Sequence, residues 1–174
     1  MTIRIPRTIF EPLDKNIHNR ADFDCGVLVL NQFLQTKASK EMKQNLNMTY
    51  VLTTDEEKTL KPILGYYTLS ASSLILSSVP SQLTKHVPPN YPLPTTRLGR
   101  LARDKNYPGT GKILLKDALI RITNASNSIG IYGIEVDAKD NAAQLFYKNF
   151  GFLSLIDNQY SLFLPLKTVL QAFN

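Results

Sequence analysis

The residues of this 174-residue chain whose types and spacing best suit chemistry are Pro108-Gly109-Thr110-Gly111-Lys112. Two glycines in a tight turn leave backbone N–H groups uncovered. The apolar run behind them (Leu114, Leu115, Ala118, Leu119 and Ile122) predicts a helix over about Lys112 to Ala125. A turn that feeds a helix aims N–H groups and the positive end of the helix dipole into one small space, an anion site suited to a pyrophosphate. Without a strand in front, the same pattern is only a tight turn; Leu98 to Asp104 supplies that strand.

Other reactive side chains are few. Cys25 is the only cysteine, which excludes an intrachain disulfide and a Cys-rich zinc site. His18 and His86 are the only histidines, so a His-based metal cluster is not expected and no metal site is assigned. Cys25 lies at a predicted helix start, which lowers a thiol pKa, but no histidine accompanies it in sequence. Glu135 and Asp137 end an apolar run that reads as a parallel strand, a position where ligands often lie. The net charge of +6, spread along the chain, favours polyanionic partners: nucleic acid or a cofactor's phosphates. Lys37, Lys40 and Lys43 recur at i, i+3, i+6 on a predicted helix, either a solvated face or part of such a basic surface.

The elements that position these groups follow from periodicity. Thr2 to Thr8 alternates as an edge strand limited by Pro6. Asp24 reads as the N-cap of a helix from Gly26 to Gln44, with Val27, Leu30, Phe33, Leu34 and Ala38 at helical spacing. Thr49–Thr53 and Pro62–Leu69 read as a hairpin, with Leu74–Leu76 extending the sheet. Five prolines between Val79 and Thr95 predict a long irregular connection. Ile129–Val136 predicts a buried parallel strand. Asp140 opens a helix that Gly151 closes as a C′ glycine; short strands from Gly151 and over Tyr160–Leu164 and a helix over Leu166–Phe173 complete the chain. The order predicts one α/β domain over residues 1–174: a mixed sheet flanked by helices, with one parallel pair. No apolar run approaches the roughly 20 residues of a membrane span, and no signal-peptide core opens the chain, so a cytoplasmic protein is expected.

Two motifs carry a resemblance. Asn106-Tyr107-Pro108-Gly109-Thr110-Gly111 is similar to the phosphate turn of GNAT-type acyl-CoA N-acyltransferases. Asp140 to Phe152, DNAAQLFYKNFGF, resembles that superfamily's Asn-x-x-Ala-x-x-Phe/Leu-Tyr-x-x-x-Gly-Phe helix. Three further stretches look like the GNAT toxins of type II toxin–antitoxin systems: Phe23-Asp24-Cys25-Gly26, Gly65-Tyr66-Tyr67-Thr68-Leu69, and Leu98-Gly99-Arg100-Leu101-Ala102-Arg103-Asp104.

The resemblance implies a GNAT fold with splayed parallel strands and acetyl-CoA as co-substrate. It places the pantetheine arm along Leu101, Ala102 and Arg103, the pyrophosphate on Gly109, Thr110, Gly111 and Lys112, and Asn141 and Phe146 beside the coenzyme. It makes Tyr147 the general acid that protonates the leaving thiolate. Lys37, Lys40, Lys43, Arg97 and Arg100 become candidate RNA contacts. The implied activity is acetylation of the amino group of an aminoacyl-tRNA, blocking translation. The implied partners are a ribbon-helix-helix antitoxin and a second copy of the chain. Acetylation of a small amine or a protein amino group, or a non-catalytic binding module acting as co-repressor, stands as the alternative at this point.

Overall fold

The computed structural model describes residues 7–57 and 59–173. The residues expected to open the first strand, Thr2 to Pro6, lie outside that range. The elements in order are β1 (Thr8–Pro12), β2 (His18–Asn19), α1 (Leu28–Gln32), a π-helical stretch (Phe33–Lys37), α2 (Ala38–Lys43), β3 (Met48–Thr54), β4 (Lys61–Pro62), β5 (Gly65–Leu74), β6 (Leu93–Arg103), α3 (Thr110–Ala125), β7 (Gly133–Asp137), α4 (Asn141–Asn149), β8 (Leu153–Ser154), β9 (Ser161–Pro165) and α5 (Leu166–Phe173). Seven strands form a mixed sheet in the order β1-β3-β5-β6-β7-β9-β8, and β2 pairs with β4. β6 and β7 are parallel, with a register running from Thr95↔Gly133 to Leu98↔Val136. β6 itself continues to Arg103.

The chain forms two compact units. One is built from residues up to Leu69 together with Arg100–Ala118; the other from Ser70–Gly99 together with the residues from Leu119 on. The first unit packs Leu13, Phe23, Phe33, Leu34, Ala38, Val51, Ile63, Tyr66 and Ala102 into one core. The second packs Val79, Leu93 and Phe163, joined by Leu74, Leu76, Leu83, Val87, Tyr132 and Leu155. In the second unit Gly133 has to be glycine. A Cβ there would meet the Phe163 ring at 2.3 Å and the Leu164 carbonyl oxygen at 2.6 Å, inside van der Waals contact.

Four expectations change. The helix expected over Gly26–Gln44 starts at Leu28 and widens to a π turn at Phe33–Lys37, where Thr36 Oγ1 donates back to the Gln32 carbonyl at 2.7 Å. Asp24 does not cap it; Val27 occupies the N-cap position. The Asp24 carboxylate instead accepts from Gly26 N–H, Asn31 Nδ2 (both 2.9 Å) and Lys105 Nζ at 2.6 Å. The strand expected over Ile129–Val136 begins only at Gly133, because Ser128 and Ile129 still donate to the Ala125 carbonyl and prolong the turn out of α3. The expected return strand divides: Lys61–Pro62 pairs in parallel with β2, and Gly65–Leu74 pairs with β3.

Candidate functional site

The Gly-rich turn is held from behind by Asp104, which is 4% exposed. Its Oδ2 accepts the Asp24 N–H and its Oδ1 the Asn106 N–H, both at 2.9 Å. The Asp104 N–H donates to the Leu64 carbonyl at 2.8 Å, and Lys105 N–H to the Asp24 carbonyl at 2.9 Å. A buried carboxylate that accepts backbone donors fixes the chain around it. The Lys105 ammonium, followed by the Gly26 N–H and Asn31, holds the Asp24 carboxyl well below the usual carboxylate range.

Beyond this brace the turn closes by Tyr107 N–H to the Asp104 carbonyl at 3.1 Å and Thr110 Oγ1 to the Tyr107 carbonyl at 2.8 Å. Gly109 has φ +86°, the left-handed region in which a side chain costs about 1–2 kcal/mol. Open space surrounds it, so the backbone conformation, not crowding, demands glycine. Gly109, Thr110, Gly111 and Lys112 therefore sit at the N-terminus of the 16-residue helix α3, which Leu114, Leu115 and Ala118 anchor as buried residues. Ahead of the turn, Ala102 points into the core and is 5% exposed, while Arg103 is exposed. Ala102 can offer a ligand its backbone only.

In the second unit α4 is capped as expected. Asp140 Oδ1 accepts the Ala143 N–H at 2.8 Å, and that bond, with Lys139, holds the Asp140 carboxyl below its ordinary value. Gly151 closes the helix at φ +92°. Tyr147 is 6% exposed, edge-on to Phe146 (5.2 Å between centroids) and Phe152 (5.4 Å). Its hydroxyl has no hydrogen-bond partner among the described residues. Burial pushes that hydroxyl up from its ordinary pKa, so it is protonated at neutral pH. Asn141 is exposed, and its Oδ1 accepts the Tyr160 hydroxyl at 2.6 Å.

Glu135 is 4% exposed and is surrounded by donors: Ser72 Oγ at 2.7 Å, Arg97 at 3.1 Å and Thr95 Oγ1 at 3.3 Å. Arg97 also donates to Asp137, which accepts from Ser161 Oγ at 2.7 Å. Partial burial alone would lower the Arg97 pKa; the hydrogen bond it donates to Glu135 and the charge of Asp137 reverse that and raise it. A carboxylate so fully engaged is a poor general base, and an arginine between two carboxylates is a poor RNA anchor. Sequence reading missed the Ser72 and Thr95 donors, which no spacing connects to Glu135.

Arg100 differs: its guanidinium carbon lies 3.6 Å from the centre of the Phe33 ring. Lys37, Lys40 and Lys43 are all exposed. The histidines stay apart from catalysis in different ways. His18 is 2% exposed; its Nδ1 accepts the Asp14 N–H at 2.9 Å, which leaves Nε2 to donate to Glu11 at 2.7 Å. His86 is exposed in the proline-rich connection. Among the described residues, no helix is long and apolar enough to cross a membrane.

No family model matches the chain. A probable toxin TacT of Sinorhizobium fredii (strain NBRC 101917 / NGR234) is 30% identical over 172 residues, which cover 94% of this chain and 93% of the relative. A tRNA-acetylating toxin of Mycobacterium tuberculosis (strain ATCC 25618 / H37Rv) is 30% identical over 132 residues, 75% of each chain. Among solved structures, AtaT complexed with acetyl-methionyl-tRNAfMet superposes with a TM-score of 0.87 at 31% identity, covering 97% of this chain and 100% of that one. A tyrosine-to-phenylalanine variant of KacT superposes at 0.85 and 31% identity, covering 95% and 99%. AtaTR bound with acetyl-CoA superposes at 0.80 and 30% identity over 96% and 98%. The KacTA–DNA complex does so at 0.79 and 31% identity over 96% and 98%.

Proposed function

The chain belongs to the GNAT family of tRNA-acetylating toxins, and from that kinship we propose that it moves the acetyl group of acetyl-CoA to the α-amino group of an aminoacyl-tRNA and so blocks translation. One observation carries the reading. β6 runs past its parallel register with β7 and leads through the left-handed Gly109 into the N-terminus of α3. That supplies strand backbone for an amide-bearing arm and, at its end, N–H groups for a pyrophosphate. The solution of AtaTR with acetyl-CoA supports the same ligand.

In this scheme Leu101 and Arg103 pair with the pantetheine through their backbones, and Gly109 to Lys112 hold the pyrophosphate. Asn141 and Phe146 bound the coenzyme from α4. The amine nitrogen attacks the thioester carbonyl, the C–N bond forms, and the C–S bond breaks as the tetrahedral intermediate collapses. Tyr147 gives its proton to the departing thiolate. The proton lost by the amine goes to water. KacT and AtaT have each been solved as a tyrosine-to-phenylalanine variant, among other forms, which supports a tyrosine in this role.

The partner is an antitoxin, as AtaT binds the C-terminus of AtaR. A ribbon-helix-helix repressor fits, since toxin–antitoxin pairs of this kind were solved on DNA. A homodimer and a cytoplasmic site of action complete the proposal. Incubating the protein with bulk charged tRNA and labelled acetyl-CoA should place label on the amino acid released by ester hydrolysis. Label that goes to small amines or protein N-termini while charged tRNA stays unmodified would overturn the acceptor.

A further inference from the structure

We propose that Arg100, stacked on Phe33, is the anchor for a phosphodiester of the RNA acceptor; this rests on the tRNA-acetylating reading above. The first unit prepares this side chain and leaves its donors open. The guanidinium carbon lies 3.6 Å from the centre of the Phe33 ring, so one face of the group is covered. Phe33 is 3% exposed and stacks on Tyr66 at 6.1 Å, and the Tyr66 hydroxyl donates to the Leu30 carbonyl at 2.8 Å. The platform is thus locked from beneath.

Stacking fixes the plane of the guanidinium but uses none of its N–H groups. Among the described residues Arg100 has no hydrogen bond and no ion pair. Compare Arg20, which donates to the Gln35 carbonyl at 2.9 Å, and Arg97, which meets two carboxylates. A half-buried, pre-oriented guanidinium with an open edge suits the bidentate recognition of a phosphate. Phe33 opens the π-helical stretch, a local geometry that often marks functional positions, and that stretch ends at the exposed Lys37. Lys40 and Lys43 follow, exposed. The helical segment that begins with the Phe33 platform thus continues into α2, which carries exposed point charges.

Phosphate could also come from the coenzyme, so the test separates the two sources. Kinetics are measured for the whole protein with three variable substrates: charged tRNA, the matching aminoacyl-adenosine, which lacks a phosphodiester, and acetyl-CoA. Arg100→Ala should raise the KM for charged tRNA about tenfold relative to that for aminoacyl-adenosine, a loss in the range of one charge-assisted bidentate contact. Arg100→Lys, which keeps the charge and loses the fork, should recover only part of it. The slope of log(kcat/KM) for charged tRNA against log[salt] should fall by about one in Arg100→Ala. Phe33→Leu, which keeps an apolar core residue and removes the aromatic platform, should raise the same KM ratio by a smaller factor. If Arg100→Ala destabilises the chain, Arg100→Gln keeps the stem and is read in its place. A rise in the acetyl-CoA KM with an unchanged tRNA ratio assigns Arg100 to the coenzyme and overturns the proposal; full recovery by Arg100→Lys overturns the bidentate fork. If the wild-type protein leaves charged tRNA unmodified, the functional reading itself fails. A wild type active on charged tRNA with an unaltered ratio in the variants sinks only the anchor.

Discussion

The two units of this chain treat the arginines of β6 in opposite ways. The first leaves donors open: the amides at Gly109 to Lys112, the Arg100 edge, and the exposed Arg103, Lys37, Lys40 and Lys43. The second closes the charges beside β7 into one network. Glu135 collects Ser72, Thr95 and Arg97, Asp137 takes the same arginine and Ser161, and Asn141 takes Tyr160. An unsatisfied exposed cation is the mark of a surface that waits for an anion, whereas a closed polar network gives rigidity. In the proposed function, phosphate binding falls to the first unit, and the network around Glu135 gives the second a fixed frame. The contrast is sharpest along β6, where Arg97 and Arg100 stand three residues apart with opposite fates.

Tyr147 is the exception in the second unit that bears on the proposed chemistry: the residue is buried, and among the described residues nothing hydrogen-bonds its hydroxyl. Tyr147→Phe removes one oxygen and leaves the contacts with Phe146 and Phe152 in place. Single-turnover acetylation of charged tRNA should slow by about 10²–10⁴-fold, the usual range for a lost general acid. The thermal midpoint should scarcely move. An undiminished rate would take Tyr147 out of the mechanism and make the second unit purely a scaffold.

The next largest effect belongs to the closed network. Glu135→Ala strips the acceptor from Ser72 and Thr95 and leaves Arg97 with Asp137 alone. Leaving the Ser72 and Thr95 hydroxyls without their acceptor costs about 1–3 kcal/mol, while Arg97, half-exposed, keeps Asp137. Urea denaturation should show a loss of that order, with Glu135→Gln losing less because the amide oxygen still accepts. A change under about 1 kcal/mol would mean that the network is as loose as a surface pair, and the contrast between the units would collapse.

How much of this was legible beforehand depends on the range of the interaction. The turn and α4 were readable because their signals are local: glycines beside an apolar period, Asp140 three residues before the amide it caps, Gly151 at the helix end. Asp24 looked like an N-cap for the same local reason, and a distant ammonium, Lys105, took its carboxylate instead. The π stretch was invisible because Phe33, Leu34 and Ala38 fit a continuous α-helix equally well by spacing alone. Arg97 and Arg100 are identical in type; only the parallel register that brings Glu135 opposite Arg97, and the packing that brings Phe33 under Arg100, separate them.

The smallest expected effect probes the open side of the contrast. Lys40 is exposed in the last turn of α2, so Lys40→Ala should change stability by no more than about 0.5 kcal/mol. Its part in RNA binding would be that of a point charge near phosphate. Such a contact weakens binding uniformly and shows itself in salt dependence more than in any single constant. The slope of log(kcat/KM) for charged tRNA against log[salt] should fall by about one, and the wild-type advantage should shrink as salt rises. A variant with the wild-type slope would make Lys40 part of a merely solvated face. The open character of the first unit would then narrow to the turn amides, Arg100 and the remaining exposed cations.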